Sequence, residues 1–376
     1  MIEKKSIEVK LASVVGRLKN LQRPADENRI AADRPDGGKT VGLFPRDFGF
    51  QAWDWPQGVG LYGLHNLYQV SHDESIKTFA KDWYERHFSS GLPVRNINTT
   101  IPLLALSYLL DEMEPACAGE CRDWAEWLMT GLPKTRENGF QHTTTNDAAK
   151  GTINLNEGQL WIDTLFMTVL FLARMGRLTG DRRFMSEATH QFLVHVKYLF
   201  DKRSGLFYHG WSFPENDNFG GVFWCRGNSW YVSSVIDFIE IMDQDLDAGV
   251  RDFLLDTCRA QVTALSALQD ASGLWRTVLD DPGSYTETSG SAGIAYGILK
   301  GIRLGLLDPR HQAIAESAVQ AILSNIAEDG TVKQVSAGTG MGMDRDHYRN
   351  IIIAPMAYGQ SLTIMALAEY LRSALP

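Results

Sequence analysis

One aspartate is the strongest candidate for chemistry in this sequence. Asp163 follows Trp161 and precedes the stretch 164–176, which is apolar on nearly all of its helical faces. A carboxylate has no packing role at the start of a buried helix, and burying it costs free energy. Burial beside aromatic surface predicts a raised pKa for Asp163, which suits a general acid. The competing interpretation is an N-terminal helix residue that the helix dipole favours.

Three further residues have the chemistry to bind an acidic sugar. Arg226 and Trp230 are four residues apart, so in a helix they share a face. There a guanidinium could hold a carboxylate while the indole stacks on a sugar ring. His209 could donate a hydrogen bond to a substrate hydroxyl or carboxylate. The alternatives are a rim salt bridge for Arg226 and a structural role for His209.

Polar and aromatic residues before other apolar stretches are weaker candidates. Asp54 lies between two tryptophans and could be a second carboxylate, and Trp55 beside it could stack on a sugar. Asn98 and Thr288 each belong to a polar cluster that could bind hydroxyls. Asp54, Asn98 and Thr288 could equally be helix caps.

Composition narrows the class of protein. The formal net charge of -9, without a basic run, argues against nucleic acid and anionic membrane as partners. The four cysteines have no histidine cluster beside them, and the phosphate-loop, dinucleotide, serine-hydrolase and zinc-protease motifs are absent from the sequence. The first ten residues lack the apolar segment of a secretory signal. We therefore expect a cytoplasmic enzyme with a small-molecule substrate, no metal and no cofactor.

The candidate residues lie at a feature that repeats along the chain. Six times a loop rich in aromatic, glycine and polar residues runs into an apolar helical stretch, at 53–58, 96–100, 159–163, 223–230, 286–291 and 354–360. Amphipathic stretches, such as the one that begins at Asp181, alternate with the apolar ones. The alternation predicts an all-α fold, an (α/α)6 toroid in which outer helices wrap an inner ring. The N-termini of the inner helices would line one open face with partial positive charge.

The connections between these stretches complete the predicted architecture. The segments 138–142, 204–209, 272–276 and 329–333 are typical of turns followed by short strands, which predicts short β-hairpins in the connecting loops. Residues 22–42 are polar and aperiodic, which predicts a surface loop that could act as a lid. Because the repeat is evenly spread with no linker, we expect one catalytic domain over residues 1–376.

The junction sequences resemble those of a known enzyme family. The resemblance is carried by the segments 53–63, 159–167, 226–230, 287–292 and 358–362. Through them the chain resembles, from about Trp53 to Arg372, the unsaturated rhamnogalacturonyl hydrolases of glycoside hydrolase family 105. The unsaturated glucuronyl hydrolases of family 88 are more distant relatives. The resemblance implies a cytosolic enzyme that acts on lyase products with a 4,5-unsaturated uronic acid at the non-reducing end. The expected substrate is the unsaturated rhamnogalacturonyl disaccharide of pectin breakdown, and lyase products of ulvan and other polysaccharides are the alternatives.

The resemblance also implies roles for individual residues. Asp163 matches a single aspartate that protonates C4 of the vinyl ether and then deprotonates the water that adds at C5. Arg226 is implied as the partner of the sugar carboxylate. The glucuronyl hydrolases have a second aspartate near the second junction, where this chain has Asn96 and Asn98, which favours the rhamnogalacturonyl branch. The positions that match contacts to the unsaturated sugar are Trp161, His209, Arg226 and Trp230.

Other functions fit the same toroid. A sugar epimerase or isomerase would need a pair of histidines or similar bases facing the ring. A conventional inverting glycosidase would need two carboxylates with room for water between them, for which Asp54 and Asp163 are the candidate pair. A non-catalytic carbohydrate-binding toroid is a third class. No readable motif identifies the sugar that leaves or decides between a monomer and a homodimer.

Overall fold

Helices make up most of the chain that the computed structural model describes, residues 3–21 and 48–373. A π-helical turn, Leu165–Val169, runs directly into the seventh α-helix, and the predicted loop at 22–42 lies outside the described residues. The α-helices are α1 (Lys4–Asn20), α2 (Trp55–Ser71), α3 (Glu74–Ser90), α4 (Ile97–Thr100), α5 (Pro102–Leu106), α6 (Pro115–Thr130), α7 (Leu170–Thr179), α8 (Arg182–Leu199), α9 (Cys225–Met242), α10 (Ala248–Leu268), α11 (Thr288–Arg303), α12 (Gln312–Ser324), α13 (Arg345–Arg349) and α14 (Ala357–Ser373).

The helices form two concentric rings. The inner ring closes because α2 packs on α5, α5 on α7, α7 on α9, α9 on α11, α11 on α14, and α14 on α2. The outer helices α3, α6, α8, α10 and α12 pack against this ring, and α1 packs against α14. The first helix of the chain therefore completes the outer ring beside the last one. This arrangement confirms the predicted (α/α)6 toroid.

Glycines let the inner helices α9 and α11 approach closely. A Cβ atom on Gly297 would lie 2.6 Å from the carbonyl oxygen of Val232, and one on Gly293 would lie 2.8 Å from the Cβ atom of Ser229. Nearly all of α11 is buried, whereas the outer helix α8 buries one face. The predicted alternation of apolar and amphipathic stretches is thus the alternation of inner and outer helices.

Four short antiparallel pairs of strands lie in the connections of the described chain. Two of the predicted hairpin segments, 204–209 and 272–276, contain such strands. The pairs are β1 (Thr144–Asp147) with β2 (Thr152–Asn154), β3 (Gln159–Trp161) with β6 (Gly210–Ser212), β4 (Phe200–Asp201) with β5 (Leu206–Phe207), and β7 (Trp275–Arg276) with β8 (Thr286–Glu287).

The other two predicted hairpins are reduced to single bridges, at Phe140 and at Val332. Side chains take up backbone donors at both places. The N–H of Phe140 donates to the amide oxygen of Gln191, and the N–H of Val332 donates to that of Gln360. The two glutamines thus hold these turns against helices α8 and α14.

Candidate active site

A cavity of about 270 Å³ lies at the N-terminal ends of the inner helices. Four of the six junctions contribute to its wall, together with the β1–β2 hairpin and the segment 338–340. Five of the predicted site residues line it: Trp55, Asn98, Trp161, Asp163 and Arg226. The helix ends thus converge on one site, as the toroid predicts.

Pairing of distant strands brings Asp163 next to His209. In the β3–β6 pair Trp161 lies opposite Gly210, and just beyond it the N–H of Ile162 donates to the carbonyl oxygen of His209 at 3.0 Å. The next residue, Asp163, then places its Oδ2 atom 3.2 Å from Nε2 of His209. A carboxylate and an imidazole that are far apart in sequence become direct neighbours.

The contact between Asp163 and His209 is close but not aligned as a hydrogen bond. Oδ2 of Asp163 and Nε2 of His209 are shielded from solvent, and neither has a well-formed hydrogen bond within the described ranges. The other ring nitrogen of His209, Nδ1, lies 2.8 Å from the hydroxyl of Tyr348. The side chain of Asp163 keeps 17% of its surface exposed and lines the cavity. A bound molecule can therefore reach this carboxyl group.

The surroundings of Asp163 lower the pKa of its carboxyl group, so the expectation of a raised pKa is wrong. Burial raises this pKa, but the contact with His209 and the electrostatic influence of His209, His142 and Arg226 lower it and together outweigh burial. The sequence showed the aromatic neighbours of Asp163 but not the basic side chains that the fold brings to it. In this structure Asp163 is therefore ionised at neutral pH.

His142 is a second histidine at the cavity, and sequence reasoning did not select it. Its ring stacks on that of Trp161, with centroids 4.2 Å apart and an interplanar angle of 10°, and its Nδ1 lies 2.8 Å from the hydroxyl of Thr164. Burial lowers the pKa of His142 to about 3, so the ring is uncharged at neutral pH. The available signal was its place at the end of the segment 138–142, one of the predicted hairpins.

Arg226, near the start of α9, is buried and held by the protein itself. Its guanidinium lies over the rings of Trp224 and Tyr358, 4.4 and 4.9 Å from their centroids. Nη1 donates to the side chain and carbonyl of Ser336, and Nη2 donates to the carbonyl of Ala337. A ligand carboxylate is therefore left with Nε and the second hydrogen of Nη2. Arg226 supplies a fixed positive charge and also anchors the chain at 336–337.

Aromatic and neutral polar groups form the rest of the wall. Trp55 stacks on Tyr358, with centroids 4.4 Å apart, and presents its ring to the cavity. Asn98 lies in α4, where its N–H donates to the capping side chain of Asn96. Sequence reasoning missed the contribution of the β1–β2 region, whose only signal is its content of threonine and asparagine. The residues concerned are Thr144, Thr145, Asn146, Asn154 and Asn156.

Four predicted contact residues do not line this cavity: His209, which lies behind Asp163, and Asp54, Trp230 and Thr288. Asp54 caps α2 and accepts a hydrogen bond from the N–H of Trp55 at 2.8 Å. Trp230 is 1% exposed and its ring packs on Phe166, with centroids 5.0 Å apart. The hydroxyl of Thr288, at the start of α11, accepts a hydrogen bond from an asparagine side chain. Four residues along a helix move a side chain about 6 Å along its axis, which takes Trp230 away from the opening. The substrate contacts expected of these residues stay predictions.

The described residues offer no metal site. Residues 3–21 and 48–373 contain no cluster of three or more histidine, cysteine, aspartate or glutamate side chains suited to a metal. The four cysteines are buried and unpaired. No helix in the same ranges is both long and apolar enough to cross a membrane.

A double ring of helices with a carboxylate, an arginine and aromatic faces at one end is the architecture of an enzyme that acts on acidic sugars. Comparison with protein families agrees with this class. Residues 45–374 match the family model described as Glycosyl Hydrolase Family 88. The chain belongs to this family and is a glycosidase, which confirms the resemblance seen in its sequence.

Several relatives have been named or solved. The chain is 32% identical over 341 residues to the unsaturated rhamnogalacturonyl hydrolase YesR of Bacillus subtilis, covering 88% of this chain and 92% of that protein. An unsaturated 3S-rhamnoglycuronyl hydrolase of Alteromonas sp. is 28% identical over 327 residues, covering 84% and 77%. The crystal structure of a possible GH105 member from Salmonella enterica serovar Paratyphi A is 38% identical, with a TM-score of 0.90 and coverage of 100% and 96%. An unsaturated glucuronyl hydrolase from Bacillus sp. GL1, at 19% identity, TM-score 0.68 and 96% of each chain, supports the fold alone.

Proposed function

We propose that the protein removes a 4,5-unsaturated uronic acid from the non-reducing end of oligosaccharides that polysaccharide lyases release. The observation that carries this proposal is the composition of the cavity wall. Within the described chain, Asp163 is its one carboxylate and Arg226 its one cation. Hydration of a vinyl ether needs a single acid, and the substrate carries a single carboxylate on the sugar that reacts.

In this reaction Asp163 would make both proton transfers. Its carboxyl group adds a proton to C4, which leaves positive charge shared between C5 and the ring oxygen. The carboxylate then takes a proton from water as the water oxygen bonds to C5. The hemiketal formed at C5 opens to a ketone, and the free hemiacetal at C1 releases the second sugar.

The lowered pKa of Asp163 has to rise before Asp163 can donate a proton. Arg226 contributes to the lowering, and a substrate carboxylate paired with Arg226 would cancel part of that charge. The bound sugar would also displace water from the exposed part of Asp163, which disfavours the ionised form. Both effects of substrate binding raise the pKa of Asp163 and so favour the acid form that the first step requires.

The remaining wall residues suit an uncharged sugar face. The rings of Trp55 and Trp161 can stack on the C–H face of a pyranose. Asn98 and the neutral ring of His142 can bond hydroxyl groups without adding charge near Asp163.

We further propose the unsaturated rhamnogalacturonyl disaccharide as substrate, which places the enzyme in pectin breakdown. The alignment with YesR, over nearly the whole of that protein, supports this choice. A cytoplasmic location is supported by four unpaired cysteines, which are typical of a reducing compartment. The closed helical ring supports one catalytic domain. We propose that this domain acts as a monomer or homodimer, with neither nucleic acid nor a membrane as a partner.

The alternative enzymes give different isotope patterns. Hydration in deuterated water places a deuteron at C4 of the released uronic acid, and neither an epimerase nor an inverting glycosidase does so. Membership of a glycosyl hydrolase family argues against an epimerase and against a non-catalytic binding module. The inverting mechanism lacks its second carboxylate in the described wall, because Asp54 caps a helix instead.

The ultraviolet absorbance of the conjugated enoate tests the proposed function directly. We expect this absorbance to fall when the purified protein meets the disaccharides that rhamnogalacturonan lyase produces. Disaccharides of other uronic acid polysaccharides are the matched controls for the choice of substrate. Constant absorbance with all of them would contradict the proposal.

A further inference from the structure

A tyrosine far along the chain contacts the histidine that faces Asp163. Tyr348 lies in the short helix α13 and is 1% exposed. Its hydroxyl is 2.8 Å from Nδ1 of His209. The same hydroxyl oxygen accepts a hydrogen bond from the N–H of Gly342 at 3.1 Å. A buried hydroxyl with these two partners has a defined hydrogen-bond direction.

The direction follows from counting donors. The N–H of Gly342 can only donate, so it occupies a lone pair of the Tyr348 oxygen. The single hydrogen of that hydroxyl is then available for Nδ1 of His209. A neutral imidazole that accepts at Nδ1 carries its own proton at Nε2. Nε2 is the atom that lies 3.2 Å from Oδ2 of Asp163.

We propose that Tyr348 is a positioning residue that fixes His209 in the Nε2–H tautomer and thereby directs a hydrogen-bond donor at Oδ2 of Asp163. The proposal rests on the proposed role of Asp163. Oδ2 is shielded from solvent, which leaves Oδ1 as the oxygen available for proton transfer in the cavity. With the other tautomer, the lone pair on Nε2 would repel the carboxylate.

The segment that supplies Tyr348 also forms part of the cavity wall, at 338–340. A Cβ atom on Gly342 would lie 2.6 Å from the ring of Tyr348, so a glycine is needed for this close packing. The hydroxyl of Thr339 is 2.6 Å from Nε2 of His347, and Arg349 pairs with Asp281 at 2.5 Å. These contacts hold Tyr348 in place. The same segment therefore forms part of the cavity wall and supplies the residue that fixes the tautomer of His209.

The groups around His209 determine what a pH experiment reports. Asp163 and Tyr348 contact its two ring nitrogens, and the ring of Trp224 packs against it with centroids 4.4 Å apart. Arg226 and His142 act on Asp163 from α9 and from the chain before β1. Removing the Tyr348 hydroxyl leaves all of these groups in place and removes two hydrogen bonds, the one at Nδ1 of His209 and the one from the N–H of Gly342.

Tyr348→Phe is the direct test. Without the hydroxyl, His209 is free to carry its proton at Nδ1, so the N–H that faces Oδ2 of Asp163 is lost and the pKa of Asp163 rises. We expect the alkaline limb of the pH profile of kcat/KM to move to higher pH, and the plateau to fall about tenfold. The matched control is Tyr84→Phe, which removes a buried hydroxyl bonded to the carbonyl of Pro102 at 2.6 Å, in the outer helix α3. An unmoved profile in Tyr348→Phe would overturn the proposal.

A double-mutant cycle separates positioning from general packing. If Tyr348 acts through His209, then Tyr348→Phe has no further effect on the pH profile in a His209→Gln background. Effects that add in the double variant would show that Tyr348 acts independently of His209 and would contradict the proposal.

The tautomer can be read without any substrate. Proton–nitrogen correlation spectra of protein labelled with ¹⁵N-histidine distinguish Nε2–H from Nδ1–H rings, and the signals missing in His209→Gln identify His209. We expect the Nε2–H form in the natural protein and its loss in Tyr348→Phe. An Nδ1–H ring in the natural protein would overturn the inference. If the natural protein has the Nε2–H form but is inactive on all lyase products, the proposed function is contradicted and the proposed tautomer of His209 is not.

Discussion

Two aspartates of the inner ring have opposite surroundings. Asp237, three turns further into the ring than Arg226, accepts hydrogen bonds from the hydroxyls of two tyrosines at 3.0 and 2.8 Å and pairs with Lys300. Asp163, at the cavity, faces His209 without an aligned hydrogen bond and keeps part of its surface exposed. One carboxylate is saturated with partners, and the other has capacity left for a ligand.

The comparison shows that burial alone does not identify a catalytic acid. Asp237 is fully buried, and burial raises the pKa of its carboxyl group, although its contacts with Lys300 and Tyr296 act to lower it. Burial lowers the pKa of Lys300, but the charges of Asp237 and Glu240 raise it by more than burial lowers it. Lys300 therefore stays protonated. A carboxylate with complete partners stabilises the ring, whereas one with an incomplete set can exchange a proton.

Asp163→Asn tests the aspartate at the cavity and should have the largest effect. The amide keeps the shape of the side chain but has no proton to transfer, so we expect kcat to fall by about 10³-fold or more. Calorimetric titration with the unsaturated disaccharide should still show binding. Asp181→Asn, at the cap of the outer helix α8, is the control and should keep its rate. Activity close to that of the natural protein in Asp163→Asn would contradict the role of Asp163 in proton transfer.

Lys300→Met tests Asp237, the aspartate with a complete set of partners. It leaves the buried carboxylate of Asp237 without its cation, so we expect the free energy of unfolding to fall by about 3–5 kcal/mol. Urea denaturation measures this change, while kcat per folded molecule should not move. The control is Lys197→Met, which breaks the exposed pair with Glu137 and should cost less than about 1 kcal/mol. Equal losses for both variants would contradict the distinction.

His209→Gln tests the lowering of the pKa of Asp163. Removing the imidazole should raise that pKa, so the alkaline limb of kcat/KM should move to higher pH. A carboxyl group with a lowered folded-state pKa stabilises the fold above its unfolded pKa, and that contribution is lost as pH falls through the folded pKa. Unfolding free energies of the variant should therefore fall less steeply on acidification. A profile that moves to lower pH would contradict the cause assigned here.

Arg226→Lys should have the smallest effect of the four. It keeps a positive charge but loses the planar donors, so we expect KM for the unsaturated disaccharide to rise about tenfold. Ser336→Ala is the control, because it removes one bond that anchors Arg226 and leaves the guanidinium in place. Binding of a neutral amide analogue of the substrate should change little in Arg226→Lys. Equal losses for the acid and the amide would show that Arg226 acts through its anchoring of the chain.

Much of the fold was predictable because its signal is local. Whether a helix is apolar all round or on one face can be read within a few turns, and this alternation predicted the two rings. The sequence did not show that α1 would complete the outer ring, since its partner α14 lies at the other end of the chain. The hairpins at 138–142 and 329–333 were overpredicted, since each forms a single bridge, and glutamine side chains from distant helices, which the local pattern does not show, bind the backbone there.

The site was predictable only in part. Asp163, Trp161 and Arg226 lie at helix starts, and in a toroid helix starts converge on the cavity. His142 and Tyr348 were missed because each lies in a connection with no periodic pattern, and tertiary contacts alone connect them to Asp163 or its neighbours. Trp230 was predicted to contact the sugar because it is four residues from Arg226. About one helical turn, however, separates Arg226 in the cavity wall from Trp230 in the core.

The sequence by itself determined the succession of apolar and amphipathic helices, and with it the ring and the junctions that carry the acid and the arginine. These follow from side-chain periodicity along single helices, which needs no knowledge of distant residues. Only the tertiary structure decided that the pKa of Asp163 is lowered rather than raised, and that Asp237 is saturated with partners. Electrostatic interactions depend on distance through space, and folding brings His209, Arg226 and Tyr348 into range from separate parts of the chain.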